Sequence, residues 1–346
     1  MSRAPRATPA WWYGTAPVPM WAALLERVFA PLARARRESY ASGRLKSTRV
    51  GVPVIVIGNL TAGGTGKTPL VIALVDHLKK AGHVPGIATR GHGRNDERTA
   101  QWSEPGSDAA HVGDEPALLA RETGVRVRVD RDRVAAARAL VDAGCTVVVC
   151  DDGLQHLALQ RDLEIEVIDA ARGYGNGRLM PAGPLREPPG RAVDLRVVNM
   201  GLRADAPPLA DDTWPMHLEG ATAHPLQSGR EKPLSAFAGQ RVHAVAGIGN
   251  PDRFFDLLRA AGIAIVPHAF PDHHPFTAAD FAFSSHLPVL MTSKDAVKCT
   301  AFAREDWYSV PVQAMLPESF WAALDARLPS TGPIDDPADN PPHDPA

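Results

Sequence analysis

Cysteine is scarce. Three residues, Cys145, Cys150 and Cys299, cannot supply a disulfide framework for a chain of 346 residues. Two of them flank an apolar segment, so buried free thiols in a reducing compartment are expected. No Cys-x-x-Cys pair occurs, which removes the usual spacing of structural zinc. There is no run of about 18 apolar residues, so no segment is expected to span a membrane. Charge of one sign is not in excess either. The formal charge of -2 gives no global signal of nucleic-acid binding. Hydrophobic residues at 45% and charged residues at 22% are ordinary for a soluble globular protein. The length suits two domains, at about 100–200 residues each.

One stretch organises the rest. Residues 52–70 read VPVIVIGNLTAGGTGKTPL. Val54, Ile55, Val56 and Ile57 form a β-branched run suited to a strand buried on both faces of a parallel sheet. Gly58, Gly63, Gly64 and Gly66 then break the chain into a loop. Leu70, Val71, Leu74, Val75 and Leu78 recur at helical spacing up to Gly82. Strand, glycine-rich loop and helix form the setting of a phosphate-binding P-loop. The glycines allow backbone N–H groups to approach phosphate oxygens, and the new helix directs its positive end at the anion. Gly63, Gly64, Thr65 and Gly66 would form the cradle. Lys67 would reach the β- and γ-phosphates, and the Thr68 hydroxyl would ligate Mg²⁺. Thr61 stands where the strict motif has its first glycine.

Further elements follow. Strands are expected at 85–89, 125–129, 163–169 and 195–199, with a helix over 131–143. Arg90, Arg94 and the residues between them end the first of these strands at the phosphate side and could hold an anion or form a basic turn. Asp114 has two readings: a helix cap, or a base facing a substrate hydroxyl. Residues 145–152 read CTVVVCDD, an apolar strand ending in acids. With a P-loop upstream, Asp151 and Asp152 are expected to organise Mg²⁺ as a Walker B element. Gln155 and His156 should face the same cleft. The alternating acids of LEIEVID at 163–169 suggest a sheet face not wholly buried. Residues 95–110 read as loop, and 203–235 as connector. Residues 173–189 read as a polar, substrate-facing loop carrying Arg186 and Glu187.

A second α/β unit begins near 242. Its Gly247-Ile248-Gly249 reads as a turn. In FPDHH at 270–274, Asp272, His273 and His274 fit a proton relay better than zinc, because no further ligand has the spacing. At the other end of the chain, Trp21, Leu24, Leu25, Val28, Phe29 and Leu32 form one helical stripe, followed by Arg34, Arg36, Arg37, Arg44, Lys46 and Arg49. Two readings are open: a helix lying in a membrane interface, or a core-packed helix with a solvated basic flank. Glu26 and Arg27 interrupt the stripe and no small-residue cleavage site follows, so a secretory signal peptide is not expected. The expected division is an N-terminal amphipathic helix at 1–35, a P-loop domain at 36–235, a smaller α/β domain at 236–328 whose last segment may return to the first, and a disordered tail at 329–346.

GNLTAGGTGKTP at 58–69, TRGHGR at 89–94, VGDEP at 112–116, DDGLQH at 151–156, GPLREP at 183–188, FPDHH at 270–274 and TSKDAVK at 292–298 together resemble the tetraacyldisaccharide 4′-kinases of lipid A synthesis. The resemblance runs in order from about residue 13 to 325 and includes Thr61, which is the family's own variant of the P-loop. It implies an ATP-dependent transfer of phosphate to the 4′-hydroxyl of a tetraacyldisaccharide 1-phosphate. ATP and Mg²⁺ are the implied cofactors. The implied partner is the lipid A disaccharide precursor, with peripheral contact at the cytoplasmic face of the bacterial inner membrane and no nucleic acid. By motif, Lys67 and Thr68 serve phosphate and metal, Asp151 and Asp152 are the metal-side acids, and Gln155, His156 and Glu187 lie with the nucleotide. Asp114 is implied as base with His273 as its orienting partner. His92 departs from the family's usual tyrosine. A P-loop switch ATPase driven by a protein partner would also suit the glycine-rich loop. The amphipathic N-terminal helix argues against it.

Overall fold

The computed structural model describes residues 8–91, 94, 96–201, 209–210 and 212–329. His92 and residues 330–346 of the expected tail lie outside them. Among the described residues the strands are β1 Val54–Gly58, β2 Pro85–Thr89, β3 Gln101–Ser103, β4 Arg126–Val129, β5 Val147–Asp151, β6 Leu163–Asp169, β7 Leu195–Gly201, β8 Thr213–Glu219, β9 Thr222–Pro225, β10 Lys232–Pro233, β11 Arg241–Ala246, β12 Ala264–Ala269, β13 Val289–Thr292, β14 Trp307–Val310 and β15 Gln313–Met315. The α-helices are α1 Ala10–Tyr13, α2 Met20–Ala41, α3 Lys67–Lys80, α4 Ala109–Val112, α5 Asp114–Thr123, α6 Arg133–Asp142, α7 Pro251–Ala260, α8 Ser293–Cys299 and α9 Glu318–Asp325.

Two sheets result. The larger has the order β15-β8-β7-β6-β1-β5-β2-β4-β3. It is parallel from β8 to β4, with antiparallel strands at both edges. The P-loop strand β1 sits between β5 and β6, and every residue of β1 is buried. Both faces are therefore covered, as the continuous apolar run requires. The smaller sheet has the order β10-β9-β14-β13-β11-β12. The chain then comes back: β15 pairs with β8, and Phe320 and Leu324 of α9 are buried in the core of the larger sheet.

The sequence reading and the structure differ at four places. Residues 1–19, proline-rich and irregular by sequence, contain α1, whose Trp12 Nε1 donates to Pro181 O at 3.0 Å. Residues 95–110 contain β3 and the start of α4, capped by Asp108, which accepts from Ala110 N. Residues 203–235 contain β8, β9 and β10. Pro215 hides β8 from a sequence reading. It lies outside the 217–219 stretch that β15 pairs with, so its missing N–H costs no bond on that edge. The alternating acids of β6 do lie on a face that is not wholly buried, with Glu164 and Ile168 half-buried, yet the acid between them is covered. Glu166 is buried, opposite Arg196 of β7, and it accepts from Arg196 Nε at 3.1 Å and Tyr174 Oη at 2.9 Å. Finally, the loop at 173–189 is pinned to the core by buried Leu179, Ala182 and Leu185.

Candidate active site

The loops after β1 and β5 open onto one cleft, at the carboxyl ends of the parallel strands, where α/β sheets hold ligands. The cleft measures about 1720 Å³ and takes lining residues from both sheets. Its phosphate end is built within the larger unit. Asn59, buried behind the loop, donates through Nδ2 to Thr61 O at 2.7 Å and Gly63 O at 3.1 Å. Its Oδ1 accepts from Lys67 Nζ at 3.0 Å. One side chain thus folds the loop and aims the lysine. Asn199, fully buried at the end of β7, donates to Thr65 O at 2.9 Å. Gly66 has φ +81°, and a Cβ there would meet Asn199 Nδ2 at 2.2 Å, so conformation and space both demand glycine. Open space surrounds Gly64 where a Cβ would stand. Arg172 donates to Gly64 O and, through Nε, to Asp169 at 3.0 Å. Gly63, Gly64, Gly66, Lys67 and Thr68 line the cleft, while Thr65 is buried.

The two acids after β5 differ. Asp152, at φ +51°, faces Lys67 at 3.3 Å and Arg186 at 3.1 Å. Burial pushes its carboxyl up, but these two cations outweigh burial and hold it well below the usual carboxylate range. Asp151 is 2% exposed, and its Oδ1 is buried without a hydrogen-bonding partner among the described residues. Burial, reinforced by Glu115 and Asp152 against the pull of Lys67, pushes Asp151 upward. A buried, unpaired carboxylate oxygen on the cleft that Thr68 also lines fits a hard cation such as Mg²⁺. Gln155 donates to Glu187 at 3.0 Å and lies 3.3 Å from Arg186 Nη1. Glu187 is also held by buried Arg191 at 3.2 Å. His156 lines the cleft, and burial with Arg133 nearby lowers it to about 4, so it is neutral at physiological pH. Arg90 lines the same wall.

The opposite end is assembled from both units. Asp114 opens α5 in the larger unit, with Gly113 and not Asp114 as the cap residue. His273, from the loop after β12, brings Nδ1 to 3.1 Å from Asp114 Oδ2. The two residues are 159 positions apart in sequence. Lys298 of α8 lies 3.5 Å from the same oxygen. Burial raises the Asp114 carboxyl, and the His273 hydrogen bond with the Lys298 charge overrides it, so the group sits below its ordinary range. Lys294, one helical turn before Lys298, contacts Asp272 at 3.1 Å, His273 Nε2 at 3.2 Å and Glu115 at 3.6 Å. A second bridge between the units joins Arg253 of α7 to Asp169 at 2.9 Å.

Asn59, Asn199, Arg172, Lys294 and Lys298 were not singled out as site residues from the sequence. Only the two lysines carried a signal, as a pair at i and i+4 on one helix face beginning at a strand-to-helix corner. Asn59 bonds its own loop, whereas Asn199 acts through a partner 134 positions away that strand order brings near.

The family model described as "Tetraacyldisaccharide-1-P 4'-kinase" matches residues 19–329. The tetraacyldisaccharide 4′-kinase of Xanthomonas euvesicatoria pv. vesicatoria is 57% identical over 336 residues, covering 95% of this chain and 97% of that protein. The protein of the same description from Stenotrophomonas maltophilia is 56% identical over 327 residues, covering 93% and 96%. Among solved structures, LpxK from Aquifex aeolicus, crystallised with ATP, superposes with a TM-score of 0.77 at 28% identity, covering 88% of this chain and 98% of that one.

Proposed function

The chain belongs to the tetraacyldisaccharide 4′-kinase family, and on that premise we propose how its cleft carries the reaction. It is a kinase that uses ATP to phosphorylate the 4′-hydroxyl of tetraacyldisaccharide 1-phosphate in lipid A biosynthesis. The observation that carries the residue roles is the meeting of Asp114 and His273 at 3.1 Å across a cleft whose other end is the P-loop.

Phosphoryl transfer demands positioning and charge stabilisation more than covalent chemistry. The amides of Gly63, Gly64, Thr65 and Gly66 and the Lys67 ammonium face the transferred phosphate. Thr68 and Asp151 would hold Mg²⁺, which supplies neutralisation of charge on the β- and γ-phosphoryl oxygens. Asp152 serves chiefly to aim Lys67 and Arg186, since both cations already engage it. Gln155 and His156 frame the nucleotide side of the pocket, and Glu187, buried behind them, holds Gln155 in place. Asp114 accepts the 4′-hydroxyl proton. The freed oxygen forms the new bond to the γ-phosphorus as the bridge to ADP breaks. His273 orients Asp114.

Contact with lipid is assigned to α2. No helix among the described residues is long and apolar enough to cross a membrane. Yet Met20, Trp21, Leu24, Leu25, Val28 and Leu32 all face solvent, with Met20 87% and Leu32 64% exposed. An apolar stripe beside Arg34, Arg36 and Arg37 suits the interface of an anionic leaflet, and the cytoplasmic face of the inner membrane supplies one. Glu26 of the same helix bonds Arg178 at 2.6 Å and Leu179 N at 2.8 Å, tying α2 to the loop that carries Arg186.

The direct test is transfer of radiolabelled γ-phosphate from Mg-ATP to tetraacyldisaccharide 1-phosphate in detergent micelles. Wild type should label the lipid and Lys67→Ala should not. Hydrolysis of ATP with no labelled lipid would point instead to a switch ATPase. For α2, deletion of residues 1–35 should abolish flotation with anionic liposomes, and unchanged flotation would refute the membrane role.

A further inference from the structure

We propose that Lys294 is a positioning residue that fixes the proton pattern of the His273 ring, leaving Asp114 as the sole acceptor of the substrate proton. The inference rests on the reading of Asp114 as base. It begins with what an ammonium cannot do. Lys294 Nζ has donors and no lone pair, so at 3.2 Å from His273 Nε2 the ring nitrogen must be the acceptor. The ring proton is then on Nδ1, which donates to Asp114 Oδ2 at 3.1 Å.

Among the described residues, charged groups around the ring are on α5, α8 and the 270–274 loop. Asp114 and Glu115 come from α5, Lys294, Asp295 and Lys298 from α8, and Asp272 and His274 from the loop. Asp272 and Glu115 hold the ammonium in place at 3.1 Å and 3.6 Å. Burial lowers the Lys294 ammonium, but Glu115 and Asp272 overcome it and keep it protonated. His274 is turned away to Asp280 at 3.3 Å, and Lys298 is shared between Asp295 at 2.9 Å and Asp114 at 3.5 Å. A second proton on the ring would set an N–H against the Lys294 ammonium. The neutral ring with its proton on Nδ1 is the pattern that satisfies both Asp114 and Lys294. When the 4′-hydroxyl O–H breaks, its proton goes to the Asp114 carboxylate and the ring proton stays where it was.

Without Lys294, Asp114 and Asp272 would favour a charged imidazolium. Donating to Asp114, that cation would weaken it as a base, and the loss would vanish as the ring deprotonates. The expected result for Lys294→Met is therefore a new acid limb in kcat within about pH 5–8, the range in which imidazole titrates. The drop should be on the order of tenfold near the acid end of that range, with the KM for Mg-ATP unchanged. Lys294→Arg keeps an obligate donor and should keep the wild-type profile shape. A profile for Lys294→Met parallel to wild type would overturn the proposal. So would a raised acceptor KM with no pH dependence, which would make Lys294 a substrate contact. A second measurement needs no variant of the lysine. In wild type, ¹⁵N chemical shifts of the neutral His273 ring, assigned by difference with His273→Asn, should show a protonated Nδ1 and bare Nε2. The reverse pattern would also refute the idea. If Asp114→Asn retained full kcat, the base reading itself would fall. If Asp114→Asn were inactive while Lys294→Met behaved as wild type, only the role of Lys294 would.

Discussion

The two ends of the cleft are built in different ways. The phosphate end is made by neighbours within one sheet: Asn59, Lys67, Asp151, Asp152 and Asn199 all follow strands that pair side by side, or sit in the loop and helix start after β1. The acceptor end exists only where two units meet, with Asp114 on one side and His273, Lys294 and Lys298 on the other. The first can be complete before any substrate arrives. The second depends on how the smaller unit sits.

The largest expected effect comes from the acceptor end. Asp114→Asn should lower kcat by about 10²–10⁴, as loss of a general base does. Titration calorimetry should find Mg-ATP binding unchanged, and a parallel loss of nucleotide affinity would erase the distinction between the two ends. Lys67→Ala should cost about 10²–10³ in kcat, the scale of removing one preorganised charge donor. Here Mg-ATP affinity should fall as well.

His273→Ala is a smaller and more diagnostic change, on the order of tenfold in kcat. The Asp114 carboxyl sits below its usual range because the His273 bond and Lys298 outweigh burial. Removing the bond lets burial act, so the carboxyl rises and less of it is ionised near neutrality. The acid limb of kcat/KM should therefore move to higher pH. A shift to lower pH would contradict the electrostatics assigned to the pair. The smallest effect is expected for Arg253→Ala, which breaks the bridge to Asp169 away from the base. A loss of a few-fold in kcat/KM is expected, in line with about 1 kcal/mol for a partly exposed pair. A loss as large as that of Asp114→Asn would mean Arg253 touches substrate.

The same contrast governs what could be read from the chain. The phosphate end is written in contiguous residues, so GGTGKT after a β-branched run and DD after CTVVVC point to it directly. The side chains that hold it are not contiguous. Asn199 serves Thr65 from 134 positions away, and β7 gives no hint of it beyond an asparagine at a strand end. At β6 the alternation of acids reads correctly as a face not wholly buried, but it gives no hint that Glu166 is covered, paired with Arg196 on the next strand and bonded by Tyr174. A period-2 pattern reports two faces and says nothing of whether a buried charge has a partner. Two helices make the same point. The apolar stripe of α3 is buried at Leu70, Val71, Leu74, Val75 and Leu78, whereas that of α2 leaves only Ala22 buried. Periodicity identified both helices, and only the fold separates the one that packs a core from the one left to meet something else.

A double-mutant cycle on single-turnover phosphoryl transfer tests the division most directly. Residues that work as a unit are non-additive, while independent sites add in free energy. Asp114→Asn with His273→Ala should be no slower than Asp114→Asn alone, and Lys67→Ala with His273→Ala should show the product of the two single losses. If instead the losses at Asp114 and His273 multiplied, the two residues would not be acting as one base, and the acceptor end as drawn here would be wrong.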